Sequence, residues 1–313
     1  MSIIYNGEND SRLYKNVIPE TIEKLMAQDD KVCWLDADLA GCSGTKSNFG
    51  KSDKYINCGI AESNVIGIAA GLSAGGMKPY CHSFAPFVSR RVFDQVFLSA
   101  GYANNPITVI GTDPGITAAF NGGTHMPFED TGLYRMIPNA TICDCTDASM
   151  LESFLTQAKD LPGVKYVRVS RKTSQKVYSD DTKFEIGKGF VVREGNDCAI
   201  IACGIMVHEA MQAAEKLASE GIDCAVIDPF TIKPLDKELI KSYAEKCGKI
   251  VVADNHNKIG GLVSAVQDAI VGNPLQFGYV AIEDEYGEVG PQDYLRERFD
   301  LTDEHIIRVV KNL

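Results

Sequence analysis

Apolar residues fall in short runs separated by stretches of helical periodicity, and this alternation continues along the chain. Val32–Leu35, Lys78–His82, Ile107–Gly111, Thr141–Cys143 and Lys165–Val169 have the length and composition of buried strands. Between them the spacing predicts helices near Pro19–Gln28, Ser63–Ala74, Phe87–Ala103, Glu129–Ile137 and Ala148–Lys159. Lys172–Gly187 is polar and aperiodic and reads as a linker. The rhythm then restarts. Strands are expected at Cys198–Cys203, Asp223–Ile227, Lys249–Ala253 and Tyr279–Ile282, and helices near Met206–Glu220, Asp236–Lys246, Leu262–Val271 and Gln292–Phe299. Strand–helix alternation of this kind specifies parallel strands with helices on both faces. The expected fold class is α/β: two doubly wound domains with mostly parallel sheets, at residues 10–175 and 185–313.

Composition narrows the function. A length of 313 residues suits two domains of the usual size. A formal net charge of -11 argues against nucleic acid as partner, because a phosphate backbone calls for a basic face. No apolar run approaches the roughly 20 residues that span a bilayer, so no membrane partner is expected. The N-terminus, MSIIYNGENDSRLYKN, has no basic region followed by an apolar core, and a cytoplasmic location is expected. Ten cysteines are scattered without a C-x-x-C pair. Cys33, Cys58, Cys81, Cys198, Cys203 and Cys224 lie in or beside apolar runs, where a free thiol acts as a small hydrophobe in a reducing compartment.

Several self-contained chemistries have no sequence support. There is no G-x-G-x-x-G after a strand, no Walker phosphate loop and no G-x-S-x-G elbow. Five histidines leave few general bases, and none are paired at metal-ligand spacing, so no metal site of the chain's own is expected. This argues against a hydrolase or dehydrogenase acting alone.

Three features remain. Gly59-Ile60-Ala61-Glu62-Ser63-Asn64 puts a carboxylate where a strand end turns into a helix of small residues. The macrodipole alone would stabilise a carboxylate there. The carboxyl end of a strand is also where α/β sheets bind ligands, and small residues allow close approach by another backbone or a cofactor. Phe84 and Phe87, around Pro86, fit either core packing or a loop that offers ring faces to a flat heterocycle. His125 lies in the Gly-rich segment Asn121-Gly122-Gly123-Thr124-His125-Met126-Pro127, ahead of a helix, where loop histidines often serve function.

Taken with Asp36-Ala37-Asp38-Leu39, Ser170-Arg171, Phe230-Thr231-Ile232-Lys233-Pro234-Leu235-Asp236 and Tyr286-Gly287-Glu288-x-Gly290, these segments resemble, in order, the transketolase family over nearly the whole chain. The likeness is to the C-terminal subunit of a split transketolase, a pyrimidine-binding domain followed by a C-terminal domain. The family's G-D-G…N motif, which binds the metal ion and the cofactor diphosphate, does not occur in the sequence. The resemblance assigns it to an N-terminal partner subunit in an α2β2 heterotetramer.

The resemblance implies thiamine diphosphate as cofactor, with Mg2+ or Ca2+ bound by the partner. It implies transfer of a two-carbon ketol unit from a ketose to an aldose acceptor. Glu62 matches the glutamate that hydrogen-bonds the aminopyrimidine and favours the tautomer able to deprotonate the thiazolium carbon. Phe84 and Phe87 match aromatics that pack on the pyrimidine. Ile60 matches an apolar position that holds the cofactor bent, and Asp38 an acidic position near it. His125 matches a histidine at the reacting end of the sugar. Arg12 and Arg171 match arginines that bind the sugar phosphate. Cys42 stands where many members have a phosphate-binding serine, with Ser43 adjacent. Asp113 replaces a phosphate-binding histidine, and Asn121 replaces an aspartate that reads a sugar hydroxyl. These departures imply an unusual ketose or acceptor, deoxy, branched or sulfonated, with weaker use of the ordinary sugar phosphates as donors and no change of reaction class. The C-terminal domain, including His256–Gly261, is expected to serve dimerisation and scaffolding. The β subunit of a 2-oxo-acid dehydrogenase shares the glutamate but normally lacks the Thr-His-x-Pro loop. A non-catalytic regulator would have no need of Glu62, Phe84, Phe87 and His125 together.

Overall fold

The computed structural model describes residues 3–172 and 174–313; Met1, Ser2 and residue 173 of the predicted linker lie outside it. The first half of the chain runs α1 (Tyr14–Gln28), β1 (Val32–Asp36), α2 (Ala40–Ser43), β2 (Tyr55–Asn57), α3 (Glu62–Ala74), β3 (Lys78–Phe84), α4 (Phe93–Gln95), β4 (Ile107–Thr112), α5 (Asp130–Arg135), β5 (Thr141–Asp144), α6 (Ala148–Ala158) and β6 (Val164–Val169). Its strands make one six-stranded sheet in the order β2-β1-β3-β4-β6-β5, parallel at every pairing. Strands β1, β4 and β6 are buried at every position, which is why they read as continuous apolar runs rather than alternating ones.

The second half runs β7 (Phe190–Arg193), β8 (Cys198–Ala202), α7 (Met206–Ser219), β9 (Cys224–Asp228), α8 (Lys237–Cys247), β10 (Lys249–Asn257), α9 (Leu262–Ile270), β11 (Gln276–Ile282), α10 (Gln292–Arg298) and α11 (Asp303–Asn312). Its five-stranded sheet has the order β11-β10-β8-β9-β7, with β7 antiparallel at the edge. Side-chain caps start three helices: Asp147 accepts from Met150 N–H, Asp236 from Leu239 N–H and Thr302 from His305 N–H. No described helix is long and apolar enough to cross a membrane. All ten cysteines are free.

Several elements differ from the sequence expectation. Helix α1 starts at Tyr14 and contains Pro19. Proline has no N–H to give the carbonyl of Lys15, and Gly44, at φ 81, packs so closely there that a Cβ would overlap that oxygen. The single helix expected over Phe87–Ala103 is instead a turn, a short 3-10 segment at Arg90–Val92, α4, and a wide π-helix at Val96–Tyr102. The Ser89 hydroxyl bonds the carbonyl of Ala85 at 2.6 Å, competing with a regular helical start. The expected linker is a packed strap. Tyr178 is buried, its hydroxyl bonds Asp228 at 2.9 Å, and the N–H groups of Val177 and Tyr178 bond Asp147 at 3.0 and 2.8 Å.

The two sheets meet through the carboxyl ends of their strands. Arg168 on β6 donates to Asp130 at 2.8 Å, to Asp144 at the end of β5, and to the carbonyl of Asn255 on β10 at 2.9 Å. Asn255 in turn accepts from Ile116 N–H at 3.0 Å and donates to Pro114 O at 3.2 Å.

Candidate active site

Strand order in the first sheet reverses between β1 and β3: β1 is followed by β2 on one side, and β3 by β4 on the other. The carboxyl ends diverge at such a point and leave a crevice. Asp36-Ala37-Asp38 leave β1 there, Ser83-Phe84 end β3, Thr112-Asp113 leave β4, and Glu62 opens α3. Beneath the crevice, His82 Nδ1 lies 2.9 Å from Asp36 Oδ2 and Nε2 lies 3.2 Å from Thr112 Oγ1, tying the three strand ends together.

Glu62 is buried. One oxygen accepts from Ser83 Oγ at 3.2 Å and the other from Arg91 Nη1 at 2.9 Å. The rings of Phe84, Phe87 and His125 form one cluster, with edge-on contacts at centroid distances of 6.1, 5.6 and 4.9 Å. Arg91 lies 4.0 Å over the Phe87 ring and Arg171 5.0 Å over Phe84. Partial burial, then the charges of Arg91, Arg90 and Arg171, push the His125 imidazole below its usual value, so it is neutral at pH 7. Its Nδ1 lies 2.9 Å from Thr124 Oγ1. Arg90 pins the loop through Thr124 O and Glu129, both at 2.7 Å. The Tyr286–Gly290 segment closes against the same loop: a Cβ at Gly123 would collide with Gly287 O. Between them runs a groove of about 630 Å³, lined by Arg90, Met126, Phe128, Ile259 and Tyr286 among others.

The remaining predicted residues are placed unevenly. Asp38 is exposed at φ 64 and accepts from Asn57 Nδ2 at 2.9 Å. Ile60 is 80% exposed at the rim. Cys42 faces the crevice, with Sγ 3.3 Å from Arg171 Nη1, whereas Ser43 is buried and bonded to Thr45 at 2.8 Å. Asp113 is buried and clasps Arg171, through its backbone N–H at 2.9 Å and through Nε. Burial raises the Asp113 carboxyl above its usual range and Arg171 pulls it back. Asn121 is exposed in the histidine loop. Arg12 pairs with Glu152 of α6 and lies 3.5 Å from Asp180, so its contacts are with that side of the domain.

Sequence reasoning gave no site role to Arg91, Ser83, Arg90 or the Asp36–His82 pair. Arg91 follows Phe87 by four residues, a spacing that could have marked a cation on the ring. One buried group among the described residues, Asp144, Cys203 and Asp254, is close enough to hold a metal ion. The Arg168 guanidinium bonded to Asp144 already supplies the cation there.

Known proteins resemble this chain in sequence and in fold. The family described as "Transketolase, pyrimidine binding domain" matches residues 11–176, and "Transketolase, C-terminal domain" matches residues 187–306. The "6-deoxy-6-sulfo-D-fructose transketolase subunit SqwH" of Clostridium sp. (strain MSTE9) is 43% identical over 284 residues, covering 90% of this chain and 88% of that one. An apulose-4-phosphate transketolase subunit of Phocaeicola vulgatus is 33% identical, covering 85% of this chain and 86% of that one. The solved structure "Split gene transketolase, inactive beta4 tetramer" superposes with a TM-score of 0.88 at 32% identity, covering 97% of this chain and 98% of that one.

Proposed function

The chain belongs to the transketolase family, and we propose that it contributes the pyrimidine half of an active site shared with an N-terminal subunit. The observation that carries this reading is the buried Glu62 carboxylate beside the Phe84–Phe87–His125 ring cluster, at the strand reversal of the first sheet. We take residues 10–175 as the domain that holds this cluster and 185–313 as its scaffold and dimerisation partner. Each contains one of the two sheets.

The residues present fit an aminopyrimidine. Each Glu62 oxygen has one named protein donor and a second lone pair to spare, and the rings supply an apolar wall. Glu62 would exchange a proton with the ring nitrogen, Phe84 and Phe87 would hold the ring plane, and Ile60 and Asp38 would flank it. Thiamine diphosphate, when bound, supplies the carbon acid that takes up and passes on the two-carbon ketol unit. His125, neutral at pH 7, can donate or accept at the sugar's reacting end. The diphosphate and its Mg2+ or Ca2+ would be held by the partner subunit.

Two surface features support a partner. Ser63, Asn64, Gly67, Gly71 and Ala74 make an exposed small-residue stripe along α3, open to close approach by another helix. Ile60, Phe120, Tyr286 and Val289 are exposed apolar side chains on the segments that border the site. An α2β2 heterotetramer would cover both. The related split-gene transketolase, an inactive β4 tetramer, supports the view that β subunits assembled alone lack activity. The complex would act in the cytoplasm, where ten free cysteines persist. Its substrates would be a ketose with a charged far end, read by Arg171, Cys42 and Asn121, with Arg12 once freed from Glu152, and an aldose acceptor.

The test is reconstitution. The isolated chain is expected to bind thiamine diphosphate poorly and to transfer no ketol unit, and adding the N-terminal subunit with Mg2+ should restore both. Full ketol transfer by the isolated chain would overturn the shared site.

A further inference from the structure

Arg171 is a crevice cation with donors to spare, and Asp113 governs how much charge it presents. Asp113 follows β4 at φ 56, its N–H bonded to Val169 O at 2.9 Å. From this fixed position it takes the Arg171 backbone N–H and Nε. Nη1 points at Cys42 Sγ, and Nη2 takes no partner among the described residues. The Arg171 side chain is 34% exposed, so this free edge can meet a ligand. A guanidinium edge grips oxyanions well, yet the formal charge of Arg171 and Asp113 together is zero. The other groups that face this place are the Cys42 thiol, a weak donor, the neutral His125, and Lys172, whose charge acts on Asp113.

We propose that Asp113 is a specificity-determining residue, and that the Arg171–Asp113 pair with Cys42 forms a subsite that prefers a singly charged sulfonate to a doubly charged phosphate at the far end of the ketose. The proposal rests on the ketol-transfer reading above. A sulfonate spreads one charge over three oxygens and keeps it throughout the working pH range. A phosphate ester carries about -1.5 to -2 at pH 7, with its second ionisation near about 6. The second charge gains little from a neutral pair, is repelled by a buried and poorly screened carboxylate, and must still lose water. A thiol in place of a hydroxyl removes a strong donor as well. The relative at 43% identity is named for a 6-sulfo ketose, which agrees with this subsite.

The experiment uses the complex reconstituted with the N-terminal subunit. It compares kcat/KM for 6-deoxy-6-sulfo-D-fructose and D-fructose 6-phosphate as donors to one acceptor, across pH. The sulfonate should be preferred by about tenfold or more near pH 7.5. The preference should narrow as pH falls through about 6, because only the phosphate loses a charge there and enzyme ionisations common to both donors cancel in the ratio. Asp113→Asn keeps the positive-φ backbone and an acceptor, and should move the ratio toward phosphate by about tenfold. Phosphate preferred or equal at pH 7.5, a pH-independent ratio, or an unchanged ratio in a folded Asp113→Asn complex would each overturn the proposal. If that variant does not fold, the pH dependence of the wild-type ratio decides alone. Transfer with the wrong preference sinks only this subsite; no transfer from either donor sinks the ketol-transfer reading and the subsite with it.

Discussion

The carboxyl edge of the first sheet serves two purposes. At β1, β3 and β4 it opens on a crevice, where the partners of its buried carboxylates reach solvent: Arg91 beside Glu62 is 46% exposed and Arg171 beside Asp113 is 34% exposed. At β5 and β6 the same residue types are sealed by the second sheet. Arg168, Asp130, Asp144, Asp254 and His256 are all buried, and Arg168 bonds one oxygen each of Asp130 and Asp144 on its own side and the Asn255 carbonyl across the interface. Carboxylate–arginine pairs occur in both halves, so residue type does not separate a site from a seam. What separates them is coverage. A covered network orients two domains, whereas an uncovered one keeps donors and acceptors available for a ligand.

The largest expected effect tests whether chemistry stays in the open half. Glu62→Gln keeps a group that Ser83 can bond but cannot hand on a proton. In the reconstituted complex, proton exchange at the thiazolium carbon and ketol transfer should slow by about 10²–10⁴. The unfolding free energy of the chain should change by no more than about 1 kcal/mol, since the partner lost is the half-exposed Arg91. Near-normal exchange would break the comparison, because the open carboxylate would then be as structural as the sealed ones.

Arg168→Leu should do the reverse. It strands Asp130 and Asp144 without their cation, and breaking a buried pair from one side costs about 3–5 kcal/mol. Thermal unfolding should shift down by roughly 10 °C. A near-normal melting temperature would mean that the interface does not depend on this network. Asp144→Asn refines the point. Burial, opposed by Arg168 and reinforced by Asp254 and Asp130, raises the Asp144 carboxyl to about 6. The folded chain thus holds this proton more tightly than the unfolded one, whose aspartates ionise near about 3.9. The stability it contributes is complete below about pH 4 and is lost as pH rises through about 6. The amide variant should flatten the stability slope between about pH 5 and pH 7.5 by about 1–2 kcal/mol in urea titrations. An unchanged slope would assign it to another group.

The same contrast explains what the sequence disclosed. Strands such as β1, β4 and β6 were legible because burial on both faces demands an unbroken apolar run. The edge strands β2 and β7 were not: β2 is three residues and half-exposed, and β7 alternates. Periodicity likewise could not show that Phe87–Ala103 is broken, since its apolar spacing survives the change of helix type. In the site, Glu62, Phe84, Phe87 and His125 could be singled out one by one, but their contacts join segments far apart in the chain. Asp113 is the instructive case. In the sequence it stood only as a replacement for a phosphate-binding histidine, whereas the fold joins its carboxylate to Arg171, so that the two act on a ligand as a pair. Asp130, Asp144 and Arg168 carried no sequence signal, because a buried ionic seam follows no local pattern.

The smallest effect concerns how open the open half is to electrostatics. His125 is pushed below its usual value by partial burial first, and then by Arg91, Arg90 and Arg171. Titration of its ring by NMR in the free chain should therefore give a midpoint below about 6.5. Arg91→Gln removes a nearby cation that disfavours the imidazolium, so the midpoint should move up. Salt at about 1 M shortens the screening length to about 3 Å and should move it the same way, since these arginines are partly exposed. Burial is unaffected by either change, so the midpoint should stop short of the free-imidazole value. A midpoint that ignores both the variant and the salt would mean the arginines are fully spent on Glu62, Glu129 and Asp113. The crevice would then be as closed electrostatically as the seam, and the distinction between the two halves would rest on coverage by atoms alone.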